Sequence, residues 1–136
     1  MFNAPYSNTR SVVELALGEI ITLARRLGDR NTSMHAGIWD KSATGSHEVR
    51  GRTLGIVGYG NIGSQLSVLA EGLGMRVYFY DIVDRLALGN ATRVYSLQEL
   101  FERCETITLH VDGRASNAHM IGEKEFSQMR PRTLFL

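Results

Sequence analysis

The chain has 136 residues and a formal net charge of +1, and 43% of its residues are hydrophobic, which is typical of a folded globular domain and excludes a disordered chain. Its 15 basic and 14 acidic side chains nearly balance, so no broad positive field favours nucleic acid or an anionic membrane as a partner. The length fits one domain or part of one.

Cysteine usage and the start of the chain predict the compartment. The single cysteine, Cys104, has no second thiol for an internal disulfide or a metal cage, which favours a reducing compartment. The start, Met1 to Pro5, lacks the basic residues and apolar run of a signal peptide, and no stretch approaches the roughly 20 apolar residues of a membrane span. We therefore expect a cytoplasmic protein without a membrane segment.

The first predicted element is a long apolar helix from Ser11 to Leu27. Its apolar residues recur at helical spacing and leave little polar face, so we expect the helix to be mostly buried. Ser11 and Glu14 have the spacing of a capping box at its start. Gly28 is expected to end the helix.

The polar stretch from Asp29 to Arg52 is interpreted as a connecting arm in which one helical turn is possible, near residues 34–35. Trp39 is the only tryptophan. It fits an exposed anchor for a partner subunit and simple packing on its own domain equally well. Lys41 is interpreted as a solvated lysine rather than as a contact to an anionic substrate.

From residue 53 onward, strand and helix patterns alternate. The predicted strands are Thr53–Val57, Arg76–Tyr80, Thr92–Tyr95, Thr106–Val111 and Thr133–Leu136. Predicted helices follow the glycines after the first strand, begin at Ser96 with Glu99 in a capping box, and span 122–129. This order predicts an α/β fold, an incomplete Rossmann-type doubly wound parallel sheet preceded by the long apolar helix. We expect residues 1–50 to lead into the cofactor domain and 51–136 to form its truncated first part, without a substrate domain.

The turn after the first strand carries a dinucleotide fingerprint, Gly58-Tyr59-Gly60-Asn61-Ile62-Gly63. Gly58 permits a tight turn, Gly60 allows a pyrophosphate to approach the backbone, and Gly63 allows the next helix to pack on the strand. The N–H groups around Asn61 and Ile62, at the positive end of that helix, are the natural phosphate donors.

An acidic residue follows the second strand at the offset expected of a ribose ligand, about 20 residues after the glycines. This residue, Asp81, is expected to accept hydrogen bonds from the adenosine ribose hydroxyls. Its charge would repel a 2′-phosphate and favours NAD over NADP, although Arg85 lies nearby. The alternative is a purely structural glycine turn with Asp81 as a solvated loop residue.

The histidines are weaker candidates. His110 lies at the carboxyl end of a predicted strand, where it would either line the nicotinamide side of a site or be packed and hydrogen-bonded, and packing is favoured. The others stand in polar loop sequence and are interpreted as surface residues: His35, His47 and His119. We predict no metal site.

Several segments around the fingerprint resemble the D-isomer-specific 2-hydroxyacid dehydrogenases. They are Asn3–Glu14, Gly37–Lys41, Gly51–Gly63, Gly74–Asp81 and Leu88–Ala91. The similarity covers almost the whole chain, and within the family it is greatest to members that oxidise 3-phosphoglycerate to 3-phosphohydroxypyruvate in serine biosynthesis. The glycine fingerprint is common to many NAD enzymes, whereas the flanking segments are much more specific to this family.

The resemblance implies an NAD-binding domain and a homo-oligomer associating through it. Asn61, Ile62 and Asp81 match cofactor residues of the family, and His110 and Val111 match a pair that borders the cofactor. The family usually has a proline after that pair, and this chain departs from the pattern with Asp112-Gly113-Arg114, so we do not expect the family's contacts near the cofactor to carry over there unchanged. Asn8 is similar to a residue near the substrate site, and capping of the first helix is an equal alternative.

The resemblance also places the catalytic arginine, histidine and glutamate beyond Leu136, so we expect no catalytic residue in this chain and no activity of the chain alone. Two alternatives stay open. One is a non-catalytic nucleotide-binding or subunit-assembly module. The other is the NAD domain of an enzyme for a different 2-hydroxy acid.

Overall fold

The computed structural model describes residues 8–136. The start of the chain and the first residues of the similar segment 3–14 lie outside the described residues. The helices are α1 (Thr9–Arg25), α2 (Leu27–His35), α3 (Asn61–Gly72), α4 (Leu97–Arg103) and α5 (Glu123–Gln128). The strands are β1 (Thr53–Val57), β2 (Arg76–Tyr80), β3 (Thr92–Arg93), β4 (Thr106–Leu109) and β5 (Leu134–Phe135).

A single parallel sheet organises the chain, in the order β3-β2-β1-β4-β5. This confirms the predicted α/β fold. All five strands form where the sequence predicts them, although the expected strands 92–95, 106–111 and 133–136 are shorter. The central strand β1 pairs with both β2 and β4. The strands β2 and β3 therefore extend the sheet on one side of β1, and β4 and β5 extend it on the other. The topological switch point therefore lies between β1 and β4.

Helices cover both faces of the sheet. On one face α1 and α3 share a core with β1 and β2, and on the other face α4 packs with residues near α5. Gly55 of β1 permits the close approach of α4, because a Cβ there would lie 3.0 Å from the Sγ of Cys104. Cys104 is fully buried, and burial raises the pKa of its thiol to about 12. The thiol is therefore a packing group.

The structure corrects both predicted ends of the first helix. The helix starts after Asn8, whose side chain makes no cap hydrogen bond, and the Ser11 hydroxyl donates to the Asn8 carbonyl instead of capping. Gly28 does not end it. Arg26 does, in a left-handed conformation with φ of 53°, and Gly28 lies inside α2. The guanidinium of Arg26 pairs with Asp29 at 2.7 Å, which joins the helix break to the first turn of α2.

The expectation that α1 would be mostly buried is also wrong. Its buried residues follow one stripe at helical spacing: Thr9, Val13, Ala16, Ile20 and Ala24. On the other side Leu15 and Leu23 are 62% and 43% exposed. The cause is that α1 packs on α3 along one face only. Within residues 8–136, no helix is long and apolar enough to cross a membrane.

Candidate functional site

The carboxyl edge of the sheet holds a cleft of about 730 Å³. Its floor is formed by the ends of three adjacent strands, at Val57, Tyr80 and Leu109. Its walls come from the loops that follow these strands. The cleft therefore lies at the topological switch point, where ligands of open α/β sheets bind.

The glycine turn after β1 is closed by contacts that leave no room for side chains. Gly58 has φ of 93°, and a Cβ there would lie 2.4 Å from the carbonyl oxygen of His110. A Cβ at Gly63 would lie 2.2 Å from the carbonyl oxygen of Gly58. Both positions require glycine. At Gly58 the backbone packs against the end of β4, and at Gly63 the start of α3 packs against the turn.

Gly60 differs from these two glycines because a Cβ at this position would meet no atom within 4 Å. It lies at the start of α3, beside Asn61 and Ile62, and all three line the cleft. No side chain caps this helix, and the N–H groups of its first turn have no intrahelical acceptor. The turn therefore presents free donors and the positive end of a 12-residue helix to an open space that fits an anionic group.

The carboxylate of Asp81 lies directly after β2 and is held by two backbone amides. Its Oδ2 accepts from the Tyr59 N–H at 2.7 Å, and its Oδ1 accepts from the Val83 N–H at 2.8 Å. Its side chain is 10% exposed, and the Nε of Arg85 lies 3.7 Å from Oδ2. The alternative of a solvated loop residue is therefore wrong. A carboxylate oxygen has more than one acceptor position, so each oxygen keeps capacity for a ligand hydroxyl.

His110 and Val111 border the opposite side of the cleft. The His110 N–H donates to the Val57 carbonyl at 2.8 Å, and its Nε2 lies 2.9 Å from the hydroxyl of buried Thr108. Burial lowers the pKa of His110, which favours the neutral imidazole. From the sequence, packing and lining of the cleft are alternatives for His110. In the structure His110 does both.

The structure brings two further side chains to the site, neither of which is given a role by the sequence. Arg114 lines the cleft on the loop after β4, where its Nε pairs with Asp112 at 2.8 Å. Tyr59, between the two first glycines, is buried and hydrogen-bonded. Its position between glycines of the fingerprint gave no signal of its own, since that position takes many residue types.

The remaining candidates lie elsewhere. The three surface histidines are exposed as expected, and Trp39 is 74% exposed with the Nζ of Lys41 at 4.2 Å from its ring centroid. Lys41 itself is exposed. In the part of the chain that the structure describes, no three His, Cys, Asp or Glu side chains could hold a metal ion.

A second cavity, of about 610 Å³, lies at the amino edge of the sheet, between the end of α1 and the starts of β1, β4 and β5. Charged side chains line it. Arg52 pairs with Glu105 at 3.5 Å, and Arg26 pairs with Asp29 while its Nη1 donates to the Thr44 carbonyl at 3.4 Å.

Residues 17–136 match the family model described as "D-isomer specific 2-hydroxyacid dehydrogenase, NAD binding domain". The chain belongs to this family. The D-isomer-specific 2-hydroxyacid dehydrogenase fold expected from the resemblance is thereby confirmed, and the cofactor of this domain is NAD. The free donors of α3 and the buried carboxylate of Asp81 fit the pyrophosphate and a ribose of that cofactor.

Several similar curated relatives are named D-3-phosphoglycerate dehydrogenase. The chain is 53% identical over 136 residues to D-3-phosphoglycerate dehydrogenase of Haemophilus influenzae and 52% identical to that of Escherichia coli K12, covering all of this chain and 33% of each relative. D-3-phosphoglycerate dehydrogenase 2 of Saccharomyces cerevisiae is 52% identical over 130 residues, 96% of this chain and 28% of the relative. The chain thus spans about a third of these relatives or less.

Solved structures share the fold. The apo D-mandelate dehydrogenase of Rhodotorula graminis superposes with a TM-score of 0.89 at 28% identity, over 98% of this chain and 42% of that one. The D-lactate dehydrogenase of Aquifex aeolicus, complexed with NAD and lactic acid, gives 0.84 at 30% identity, over 94% and 39%.

Proposed function

We propose that the cleft at the carboxyl edge binds NAD and that the chain serves as the cofactor-binding part of a D-3-phosphoglycerate dehydrogenase. The observation that carries the proposal is the uncapped first turn of α3 at Gly60, which faces open space on the same cleft as the buried carboxylate of Asp81. A donor turn and a ribose acceptor on one cleft match the two polar parts of a dinucleotide.

Each residue then has a role in binding. Gly58 and Gly63 shape the turn, and the N–H groups at Gly60, Asn61 and Ile62 donate to the pyrophosphate. In the same proposal, Asp81 accepts hydrogen bonds from the adenosine ribose, and its charge opposes a 2′-phosphate. His110 and Val111 border the far end of the cofactor, where a neutral His110 adds no second positive charge beside the nicotinamide. When bound, NAD supplies the hydride acceptor of the family's reaction.

The proposed reaction of the complete enzyme is oxidation of 3-phosphoglycerate to 3-phosphohydroxypyruvate, the entry to phosphorylated serine biosynthesis. It is supported by the names of the relatives at 52–53% identity. We assign residues 1–50 to the lead into the cofactor domain and 51–136 to its first part, and we propose no catalytic residue among them. The unpaired, buried Cys104 suits the reducing cytoplasm that we propose for the enzyme.

Calorimetric titration with NAD and NADP tests the cofactor site. Wild-type chain is expected to bind NAD saturably and in preference to NADP. Asp81→Ala should weaken NAD binding by about 10- to 100-fold, because hydrogen bonds to a charged acceptor contribute roughly 1.5–3 kcal/mol. Arg132→Ala, on the amino-edge cavity, is the matched control and should bind like wild type. No binding by wild-type chain with a folded circular dichroism spectrum, or unchanged binding by Asp81→Ala, would refute the proposal.

A second proposed property is self-association through the α1–α2 face. Large apolar side chains are exposed along these helices and the arm: Leu15, Leu23, Leu27, Met34, Ile38 and Trp39. Such a surface marks an interaction site on a folded protein. Light scattering should report a dimer or larger assembly, and NADH formation from 3-phosphoglycerate should be absent unless the remaining segments of a relative are supplied in trans. A monomer would remove the assembly proposal without touching the cofactor site.

A further inference from the structure

Tyr59 joins the loop after β2 to helix α3 beside the cleft, and the Asn90 N–H joins the far end of the same loop to Glu71 of α3 at 3.0 Å. Its side chain is 2% exposed, and its ring stacks on Phe79 of β2 with centroids 3.8 Å apart. The hydroxyl lies 2.6 Å from the Oγ of Ser67 in α3 and 3.2 Å from the backbone N of Leu88. Leu88 belongs to the loop that follows β2 and begins at Asp81. One buried hydroxyl therefore joins that loop to the helix that starts at the glycine turn.

The hydrogen bonds around Tyr59 have one direction. The Ser67 hydroxyl donates its only proton to the Ser64 carbonyl at 2.8 Å, so it accepts from the Tyr59 hydroxyl. The Tyr59 oxygen in turn accepts from the Leu88 N–H. At the other end, the Ser64 hydroxyl donates to the Gly60 carbonyl at 2.7 Å. The continuous donor chain therefore runs from the Leu88 N–H through Tyr59 and Ser67 to the Ser64 carbonyl, and the Ser64 hydroxyl makes a separate contact to Gly60.

The backbone of Tyr59 makes a second connection to the same side of the cleft. Its N–H holds the Oδ2 of Asp81, while the loop that its hydroxyl holds contributes Ile82, Val83 and Arg85 to the wall beside that carboxylate. Main chain and side chain of one residue therefore fix both the ribose acceptor and the loop next to it. Neither contact reaches His110 on the opposite side.

We propose that Tyr59 is a positioning residue for the adenosine half of the cofactor. It holds the loop 82–90 at a set distance from the phosphate-binding turn, so that both parts engage one dinucleotide together. The proposal rests on the proposed NAD site. It assigns to Tyr59 no contact with the nicotinamide half.

Tyr59→Phe isolates the hydroxyl, because the ring and its stacking on Phe79 are kept. We expect affinity for NAD and for adenosine monophosphate to fall by about 3- to 10-fold, the effect of one buried hydrogen bond, and affinity for nicotinamide mononucleotide to be unchanged. Hydrogen exchange at the Leu88 amide should be faster by a similar factor. All titrations are run on the complete chain, at a temperature where circular dichroism shows the variant to be folded.

Tyr78→Phe is the matched control, since Tyr78 is on the same strand as Phe79 but packs with the core on the α4 face. It should leave all three affinities and the Leu88 exchange rate unchanged. Equal losses for the adenosine and nicotinamide ligands in Tyr59→Phe, or unchanged adenosine affinity, would overturn the positioning role. Failure of wild-type chain to bind NAD would instead overturn the proposed function itself.

Discussion

The two edges of the sheet carry cavities of similar size that differ in whether a helix start opens into them. At the amino edge several polar side chains pair with one another, although the buried Nε of Arg52 has no hydrogen-bond partner. Glu105 accepts from the N–H of Thr53 at 3.1 Å and pairs with Arg52, and although burial opposes it, these partners lower the pKa of Glu105. At the carboxyl edge the first-turn amides of α3 have no protein acceptor. The cavity volumes are about 610 Å³ at the amino edge and about 730 Å³ at the carboxyl edge. Volume alone does not distinguish the two cavities.

The difference indicates that free backbone N–H groups at a helix start, rather than cavity volume, mark the binding edge. In a parallel sheet the helix that follows each strand starts at the carboxyl edge, so free N–H groups collect there. A second helix at this edge sharpens the point. α4 starts beside the end of β3, but its first turn is capped by Ser96, whose hydroxyl accepts from the Glu99 N–H at 3.1 Å. The start of α3 therefore offers more free amides to a ligand than the capped start of α4.

The largest expected effect comes from Gly58→Ala. The added Cβ would meet the His110 carbonyl at 2.4 Å in a backbone conformation with positive φ, so both backbone strain and overpacking oppose folding. We expect the free energy of unfolding to fall by about 2–6 kcal/mol, measured by urea denaturation followed by far-ultraviolet circular dichroism.

Gly60→Ala is the matched control for that loss. Its Cβ enters open space at negative φ, so stability should change by less than about 1 kcal/mol while NAD binding is weakened or lost. Equal stability losses in the two variants would contradict the separation between packing glycines and the ligand-facing glycine.

Ser96→Ala tests the capped start at the same edge. Removal of the cap at α4 should cost about 1 kcal/mol of unfolding free energy, because the Glu99 N–H loses its acceptor. NAD affinity should not change, as measured by the same titration that detects Asp81→Ala. A loss of affinity would show that α4 contributes to the cleft.

The smallest effect is a pH dependence that differs between the edges. Burial lowers the pKa of His110 from its usual 6.5, so the unfolded chain binds more protons as the pH falls through that range and stability decreases. Glu105 has a lowered pKa relative to 4.5, so its contribution is lost only at more acidic pH. The thermal midpoint of the wild type should therefore decrease as the pH is lowered from about 7 to about 5. In His110→Gln the midpoint should depend less steeply on pH over this range. An unchanged slope in the variant would assign the dependence to other groups.

The sequence predicted the sheet well because its strands are short apolar runs bounded by glycine and polar residues. The fingerprint also predicted which residues meet: Gly60, Asn61 and Asp81 line one cleft as expected. Periodicity and local turn chemistry are sufficient for these features. The roles of these residues in binding NAD stay predictions.

The ends and burial of α1 could not be predicted, because they depend on tertiary contacts. Helical spacing does not say that packing on α3 covers one stripe only, and the left-handed Arg26 has no sequence signal comparable to the nearby Gly28. The role of Tyr59 depends on Leu88, which is 29 residues away along the chain. A contact between residues this far apart in the chain leaves no signal in the local sequence pattern.

The exposure of Trp39 has a practical consequence for spectroscopy. The only indole of the chain is 74% exposed, so its emission in the folded state is already close to that of a hydrated fluorophore. Denaturation of the sheet would barely shift the emission maximum, whereas covering the ring with another protein surface would move the maximum to shorter wavelength. Intrinsic fluorescence in this molecule therefore monitors what docks on the arm and is insensitive to melting of the core.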